Sequence, residues 1–167
     1  MGKNVKKSVI AVFVLLVCSI CFAGQISVQV VQHNKAIDYV SEQSLLVEDE
    51  LLNGFFDKGY IVTNSVARVS DSSETDSDLF YEGFGEAFDG SSDVFVQVKV
   101  YFTATEKKTS ADIVSSRLDH IDWVMTNVTT GKVIKESSVQ GISNKPGTDE
   151  SVRLVSGKLI SEIQKAL

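Results

Sequence analysis

Residues 93–103 constrain the fold most, because their side chains alternate in character without a break. One face of this stretch carries Val94, Val96, Val98, Val100 and Phe102, and the other carries Phe95, Gln97, Lys99, Tyr101 and Thr103. Successive side chains of a β-strand point to opposite faces of a sheet. The alternation therefore predicts a strand whose apolar face is buried under helices.

Three other segments repeat their apolar residues every three or four positions, which is typical of amphipathic helices. Their stripes are Leu45, Leu51, Leu52, Phe55 and Phe56; then Phe80, Phe84 and Phe88; and finally Val152, Val155, Leu159 and Ile163. Ser41 or Ser44 is a suitable cap for the first helix, and Gly59 is suited to its end. The polar run 70–77 predicts a surface loop, after which Asp78 would cap the second helix.

Strands are also predicted at 26–32, from residue 60, at 113–128 and at 132–139, with a hairpin turn at 129–131. The element order is β-α-β-α-β-β-β-α, and no linker is long enough to divide the chain. We therefore expect an α+β fold, a single mixed β-sheet with helices packed on it, formed by residues 24–167 as one domain. The first two strands should be parallel, and the last three should form an antiparallel meander.

The N-terminus has the three parts of a secretory signal peptide. Lys3, Lys6 and Lys7 precede an apolar run over residues 8–22, and Ala23 supplies a small residue at the cleavage position. We expect residues 1–23 to be removed as the protein crosses the inner membrane. This predicts a periplasmic protein that does not span the membrane.

Two alternatives for the N-terminus fit the residues less well. A permanent membrane anchor needs about 20 apolar residues, and this run is shorter. An outer-membrane lipoprotein needs a small residue before its lipidated cysteine, whereas Cys18 follows Val17 and Cys21 follows Ile20.

Cleavage would make the protein more acidic. It removes three of the 16 basic residues and none of the 22 acidic ones, which shifts the formal charge from −6 to −9. It also removes both cysteines, so no disulfide or thiolate metal ligand is expected, and no cofactor. A strongly acidic protein is a poor partner for nucleic acid or for an anionic membrane.

Three phrases of the sequence carry a family resemblance: LLNGFFDKGYIVT, a helix–glycine–strand unit; DVFVQVKVYF, a central strand; and WVMTNVTTGKVIKESS, a hairpin. They resemble the bacterial envelope family that includes LpoB-type penicillin-binding-protein activators, the N-terminal domain of TolB and the curli-secretion protein CsgG. The resemblance implies a non-enzymatic protein that contacts a cell-wall synthase, a secretion channel or a flagellar component. The chain lacks the lipid-attachment cysteine and the proline-rich tether expected of an outer-membrane activator.

The polar face of the 93–103 strand is the predicted partner-binding surface. Its residues are Phe95, Gln97, Lys99 and Tyr101, joined by His120 and Asp122 from the following strand. Apolar, aromatic and charged groups mixed on one face are typical of protein interfaces. The alternative is that the second helix buries this face.

Two other kinds of binding site are weaker candidates, a small-ligand pocket at the Phe80, Phe84 and Phe88 stripe and a calcium site in the acidic run that precedes it. Asp71, Glu74, Asp76 and Asp78 could offer oxygens to calcium, although they lack the glycine and the closing glutamate of an EF-hand loop. A small-ligand or calcium-binding secreted domain is therefore the alternative function.

Catalysis has a single candidate cluster, which is Asp119, His120 and Asp122. On a regular strand Asp119 would face away from the other two, and no nucleophile motif accompanies them. We therefore assign no catalytic residue and expect a protein that is not an enzyme. His33 lies in a polar connection, and a metal site would require it to meet His120.

Overall fold

The computed structural model describes residues 24–35, 37–104, 116–141 and 149–167. Within these residues the chain forms five strands and three helices in the predicted order. Their bounds are β1 Gln25–His33, α1 Glu42–Phe56, β2 Ile61–Val69, α2 Ser73–Asp89, β3 Val94–Ala104, β4 Ser116–Asn127, β5 Val133–Gln140 and α3 Asp149–Gln164. The predicted signal peptide at 1–23 and the expected beginning of the fourth strand at 113 lie outside the described residues.

The described strands form one mixed sheet in the order β2-β1-β3-β4-β5. β1 pairs in parallel with both β2 and β3, because each connection crosses over through a helix. β3, β4 and β5 pair in antiparallel fashion. The predicted α+β fold, the parallel first pair and the antiparallel meander are confirmed.

The inner face of the sheet is defined by Val96, Val98 and Val100 of β3, and it carries the main apolar core together with α1 and α3. The predicted stripe of α3 is confirmed, since Val152, Val155, Leu159 and Ile163 are all fully buried. Ile121, Trp123 and Met125 of β4 join this core. None of the helices in the described ranges is long and apolar enough to cross a membrane.

The rotation of α1 differs from the predicted one. Its buried residues are Ser44, Val47, Leu51 and Phe55. Leu45 and Phe56, which the predicted stripe includes, are exposed. The reason is a buried polar anchor: the Ser44 hydroxyl donates to Oε1 of Gln32 at 2.7 Å, and Ser44 must therefore face the sheet.

α2 begins earlier than predicted. The prediction of a loop over 70–77 is wrong from Ser73 onward, where the helix begins, and Asp78, the predicted cap, lies inside the helix. Ser72 is the cap, and its hydroxyl accepts a hydrogen bond from the backbone N–H of Thr75 at 3.2 Å. Glu74 in the first turn adds a favourable interaction with the helix dipole. The prediction failed because acidic residues are common both in solvated loops and in the first turn of a helix.

Candidate functional site

α2 packs on the outer face of the sheet, opposite α1 and α3, and covers part of β1, β2 and β3. Gly83 lies directly over the Gln29 side chain of β1, and a Cβ at position 83 would come within 2.7 Å of it. Oε1 of Gln29 accepts a hydrogen bond from Nε2 of Gln97 at 2.9 Å. The glycine is therefore what allows the helix to approach this buried amide pair.

Aromatic packing under α2 removes one predicted partner residue from the surface. Phe95 is fully buried, with ring centroids 5.5 Å from Phe80 and 6.1 Å from Phe84. For Phe95 the stated alternative therefore holds: α2 covers it, and its side chain is not exposed to a partner. The third member of the predicted stripe, Phe88, is 62% exposed, because eight residues along a helix rotate a side chain by about 80°.

Gln97, another residue of the predicted partner-binding surface, is also buried. Its side chain is buried in the amide pair with Gln29, and it reaches only the floor of a groove described below. The four remaining predicted residues, Lys99, Tyr101, His120 and Asp122, are partly exposed on the outer face.

Beyond the N-terminal end of α2, three rings stack side by side across three strands. The ring centroids of His33 and Tyr101 are 4.4 Å apart, and those of Tyr101 and His120 are 4.3 Å apart. The three residues are register partners on β1, β3 and β4. Sequence reasoning missed His33 because it ended the first strand at residue 32. Extending the alternation of Gln29 and Val31 by one step would have placed His33 on the outer face.

Asp76 of α2 fastens the helix to this part of the sheet. Its carboxylate accepts a hydrogen bond from the Lys99 ammonium at 2.7 Å. Its other oxygen lies 3.0 Å from Nε2 of His33, without the alignment of a hydrogen bond. Burial acts to raise the pKa of Asp76, but the Lys99 hydrogen bond and the nearby positive charge outweigh it and lower the pKa.

Two other side chains at this end of the sheet have shifted pKa values, and burial is the largest cause of both shifts. Desolvation lowers the pKa of His33 below its ordinary value, although the Asp76 carboxylate opposes the change. Desolvation raises the pKa of Tyr101, and the charges of Asp122 and Asp76 add to the effect. Both rings are therefore held in their neutral forms near pH 7.

An irregularity in β4 changes the position of Asp119. Tyr101 pairs with His120 and Phe102 pairs with Leu118, which leaves Asp119 as the extra residue of a bulge. The prediction that Asp119 faces away from His120 is wrong, since its Oδ2 lies 2.7 Å from Nδ1 of His120. Gly141 donates its backbone N–H to the Asp119 carbonyl at 2.6 Å. A Cβ at Gly141 would come within 2.5 Å of that carbonyl oxygen.

An open groove of about 770 Å³ lies between α2 and the outer face of β4 and β5. It exists because α2 packs over β1, β2 and β3 and stops short of the last two strands. Lining residues include Ser77 and Tyr81 from the helix, Lys99 and Asp122 from the middle of the sheet, and Val124 and Glu136 from the far side. This groove adjoins the predicted surface and adds residues of α2 and β5 that sequence reasoning did not select.

The arrangement of the described residues supports neither the calcium site nor the catalytic cluster. Asp76 is bound by Lys99, whereas Asp71, Glu74 and Asp78 are exposed. In the described ranges, no group of three or more potential ligand side chains is placed to hold a metal ion. His120 is held by Asp119, and its Nε2 lies 3.9 Å from Asp122. Among the described residues, no hydroxyl group donates a hydrogen bond to the His120 imidazole, as an activated nucleophile would.

Comparison with known proteins adds a family. A family model described as "Uncharacterised protein" matches residues 25–167. The chain belongs to that family. No curated protein matches the chain.

Several solved structures are similar to this member of the family. The PelC dodecamer from Paraburkholderia phytofirmans shares 12% identity, with 86% of each chain covered and a TM-score of 0.45. TolB from Acinetobacter baumannii shares 15% identity over 87% of this chain and 28% of TolB, with a TM-score of 0.39. The LpoB C-terminal domain from Salmonella enterica shares 12% identity over 77% of this chain and 92% of that domain, with a TM-score of 0.37. The last two are named in the resemblance drawn from the sequence, and no residue role is carried over from any of the three.

Proposed function

We propose that the protein is a secreted, non-enzymatic adaptor or regulator of the bacterial envelope that binds another protein through the outer face of its sheet. The observation that carries the proposal is the groove beside α2. It is an open surface on which aromatic, apolar and charged groups are mixed. Tyr81 at its edge is 72% exposed, and exposed aromatic side chains beside a concave surface are typical anchors of protein interfaces.

The location and the class of partner rest on the sequence. The basic start, the apolar run and Ala23 support export across the inner membrane. The resemblance to LpoB-type activators, TolB and CsgG supports an envelope partner, such as a cell-wall synthase, a secretion channel or a flagellar component.

The test is site-specific photocrosslinking in intact cells. A photoreactive phenylalanine analogue replaces Tyr81 at the groove or, as a control, Leu154 on α3, which is 49% exposed on the other side of the molecule. We expect an adduct with one envelope protein from position 81 and none from position 154. A folded protein that forms no adduct from position 81, or the same adduct from both positions, would overturn the proposal.

A second candidate is a small-ligand-binding domain that uses the same groove. Its volume lies within the range of about 300–1,000 Å³ that is usual for ligand sites, and Phe80 is among its lining residues. A ligand that binds the folded state raises the melting temperature by mass action. A metabolite that does so, together with an absence of adducts from position 81, would favour this candidate.

A further inference from the structure

The charges that line the groove do not balance. Asp76, Asp122 and Glu136 supply three carboxylates, and Lys99 supplies one ammonium group. The Lys99 ammonium is already bound by Asp76 at 2.7 Å, and it turns toward α2 although Asp122 is its register partner on β4. The groove is therefore left with the negative charges of Asp122 and Glu136.

These two carboxylates lie close enough to act on one ligand. Asp122 of β4 is the register partner of Ser138, and Glu136 stands two residues before Ser138 on β5. Such diagonal neighbours on one face of a sheet are about 7–8 Å apart, which leaves room for a cation between them. The side chain of Asp122 is 44% exposed, and its closest described basic group is Nε2 of His120 at 3.9 Å.

The helical wall of the groove brings no positive charge to it. α2 contains no lysine or arginine, and its one acidic residue in the lining, Asp76, is already bound by Lys99. The exposed ring of Tyr81 adds a flat surface on which a guanidinium group or an aliphatic stem can stack.

We propose that this groove binds an extended basic segment of the protein partner, with a lysine or arginine side chain between Asp122 and Glu136. The stem of that side chain lies against Val124 and Tyr81. The inference rests on the proposed function and specifies the chemistry of its partner.

Other occupants fit these charges less well. Nucleic acid and anionic lipid would place phosphates against unpaired carboxylates. A second copy of the chain would bring a net negative charge, −6 in full or −9 after the expected cleavage, to an acidic groove. A metal ion would need more ligands than the described side chains bring together.

The probe is a fluorescein-labelled peptide of nine residues in which arginine alternates with valine, and the control peptide carries neutral citrulline at each arginine position. Fluorescence anisotropy measures affinity for the purified protein. Chemical-shift changes locate the contact, and we expect them at the backbone amides of Val124 and Glu136. We expect the arginine peptide to bind at least about tenfold more tightly than the citrulline peptide, because charge-assisted hydrogen bonds are lost with the guanidinium groups.

A matched pair of double variants assigns the affinity to the groove. Asp122→Asn with Glu136→Gln removes the two groove carboxylates and should weaken binding about tenfold. Glu86→Gln with Asp89→Asn removes the same charge from exposed positions of α2 outside the groove and should change binding less than twofold. Thermal melting verifies that all four isosteric changes leave the fold intact.

Equal weakening by both double variants, or equal binding of the two peptides, would overturn the inference. Photocrosslinking from position 81 separates this failure from failure of the proposed function. An adduct from position 81 without arginine selectivity rejects only the basic segment. The absence of both rejects the groove as a protein-binding surface. Dimerisation through the groove, measured by analytical ultracentrifugation, would replace the partner with a second copy.

Discussion

The two faces of the sheet differ in how completely the helices cover them. The inner face is covered by α1 and α3, and its strand residues Val96, Val98 and Ile121 are fully buried. The outer face has only α2 among the described helices, and next to that helix it exposes charged and aromatic groups. Burial of apolar area supplies most of the stabilisation of a domain. The inner face therefore accounts for the fold, and the uncovered part of the outer face is available for binding.

The largest predicted effect tests this division directly. Leu51→Ala leaves a cavity in the inner core and should lower the free energy of unfolding by about 2–5 kcal/mol. Val124→Ala on the groove wall should lower it by less than about 1 kcal/mol, since that side chain is only partly buried. Urea denaturation of both variants measures the difference. Equal losses would show that the groove wall is as important to the core as the inner face.

A smaller effect is predicted where α2 is fastened to the outer face. Lys99→Met removes the partner of the Asp76 carboxylate, whose side chain is 10% exposed, and should cost about 1–3 kcal/mol at pH 7. The pKa of Asp76 is lowered in the folded protein, so this pair stabilises the fold above the pKa of the unfolded carboxyl group. That contribution is lost as the pH falls through the lowered value.

The deficit of Lys99→Met should accordingly shrink in acid, because a growing fraction of Asp76 is protonated as the pH falls and the ion pair then stabilises the native fold less. Urea denaturation at pH 7 and at about pH 3 measures it. Asp76→Asn with Lys99→Met is the control, and its deficit relative to the native protein at pH 7 should be smaller than that of the single variant. A deficit of Lys99→Met that is the same at both pH values would contradict this account of the ion pair.

Two glycines of α2 test how closely the helix approaches the sheet. Gly85 has open space around it, so Gly85→Ala should stabilise the protein by up to about 1 kcal/mol through helix propensity. At Gly83 the added methyl group would displace the Gln29 amide from its hydrogen bond with Gln97. Gly83→Ala should therefore be about 1–2 kcal/mol less stable than Gly85→Ala. Thermal denaturation that ranks the two variants equally would disprove the close contact.

The smallest effect concerns His33. Burial lowers its pKa in the folded protein, so between the ordinary value of 6.5 and that lowered value the unfolded chain binds the extra proton. The free energy of unfolding should decrease as the pH falls through this window, and His33→Gln should decrease the slope. Denaturation at a series of pH values from 7 to 5 checks this, with His120→Gln as the comparison. An unchanged slope in His33→Gln would contradict burial as the cause.

The sequence predicts the elements of this fold better than their rotations. The alternation in β3 and the stripe of α3 follow directly from the spacing of their apolar residues, and both predictions are confirmed. The rotation of α1 depends on the hydrogen bond between Ser44 and Gln32. These residues belong to different elements, a helix and a strand, so the apolar pattern of the helix alone does not indicate that they meet. Likewise, the bulge that turns Asp119 toward His120 arises from strand pairing, and no local residue pattern indicates it.

Only part of the candidate site can be predicted from the sequence, because the rest depends on contacts between elements. Lys99, Tyr101, His120 and Asp122 lie together on the outer face because alternation on two paired strands places them there. Phe95 and Gln97 obey the same alternation but lie under α2, and the extent of that cover depends on where the helix crosses the sheet. Tyr81 and Glu136 come from elements distant in sequence, so their meeting at the groove required the tertiary structure.

Blocking the groove tests the central claim most directly, which is that partner binding occurs on the uncovered part of the outer face. Ser138→Trp places a large side chain in the groove, and Ser161→Trp places the same side chain on exposed α3 as a control. The measurement is the yield of the adduct that the photoreactive group at position 81 forms in intact cells. We predict that Ser138→Trp abolishes the adduct and Ser161→Trp preserves it. An adduct that survives Ser138→Trp, or one that both substitutions abolish equally in folded protein, would contradict the account.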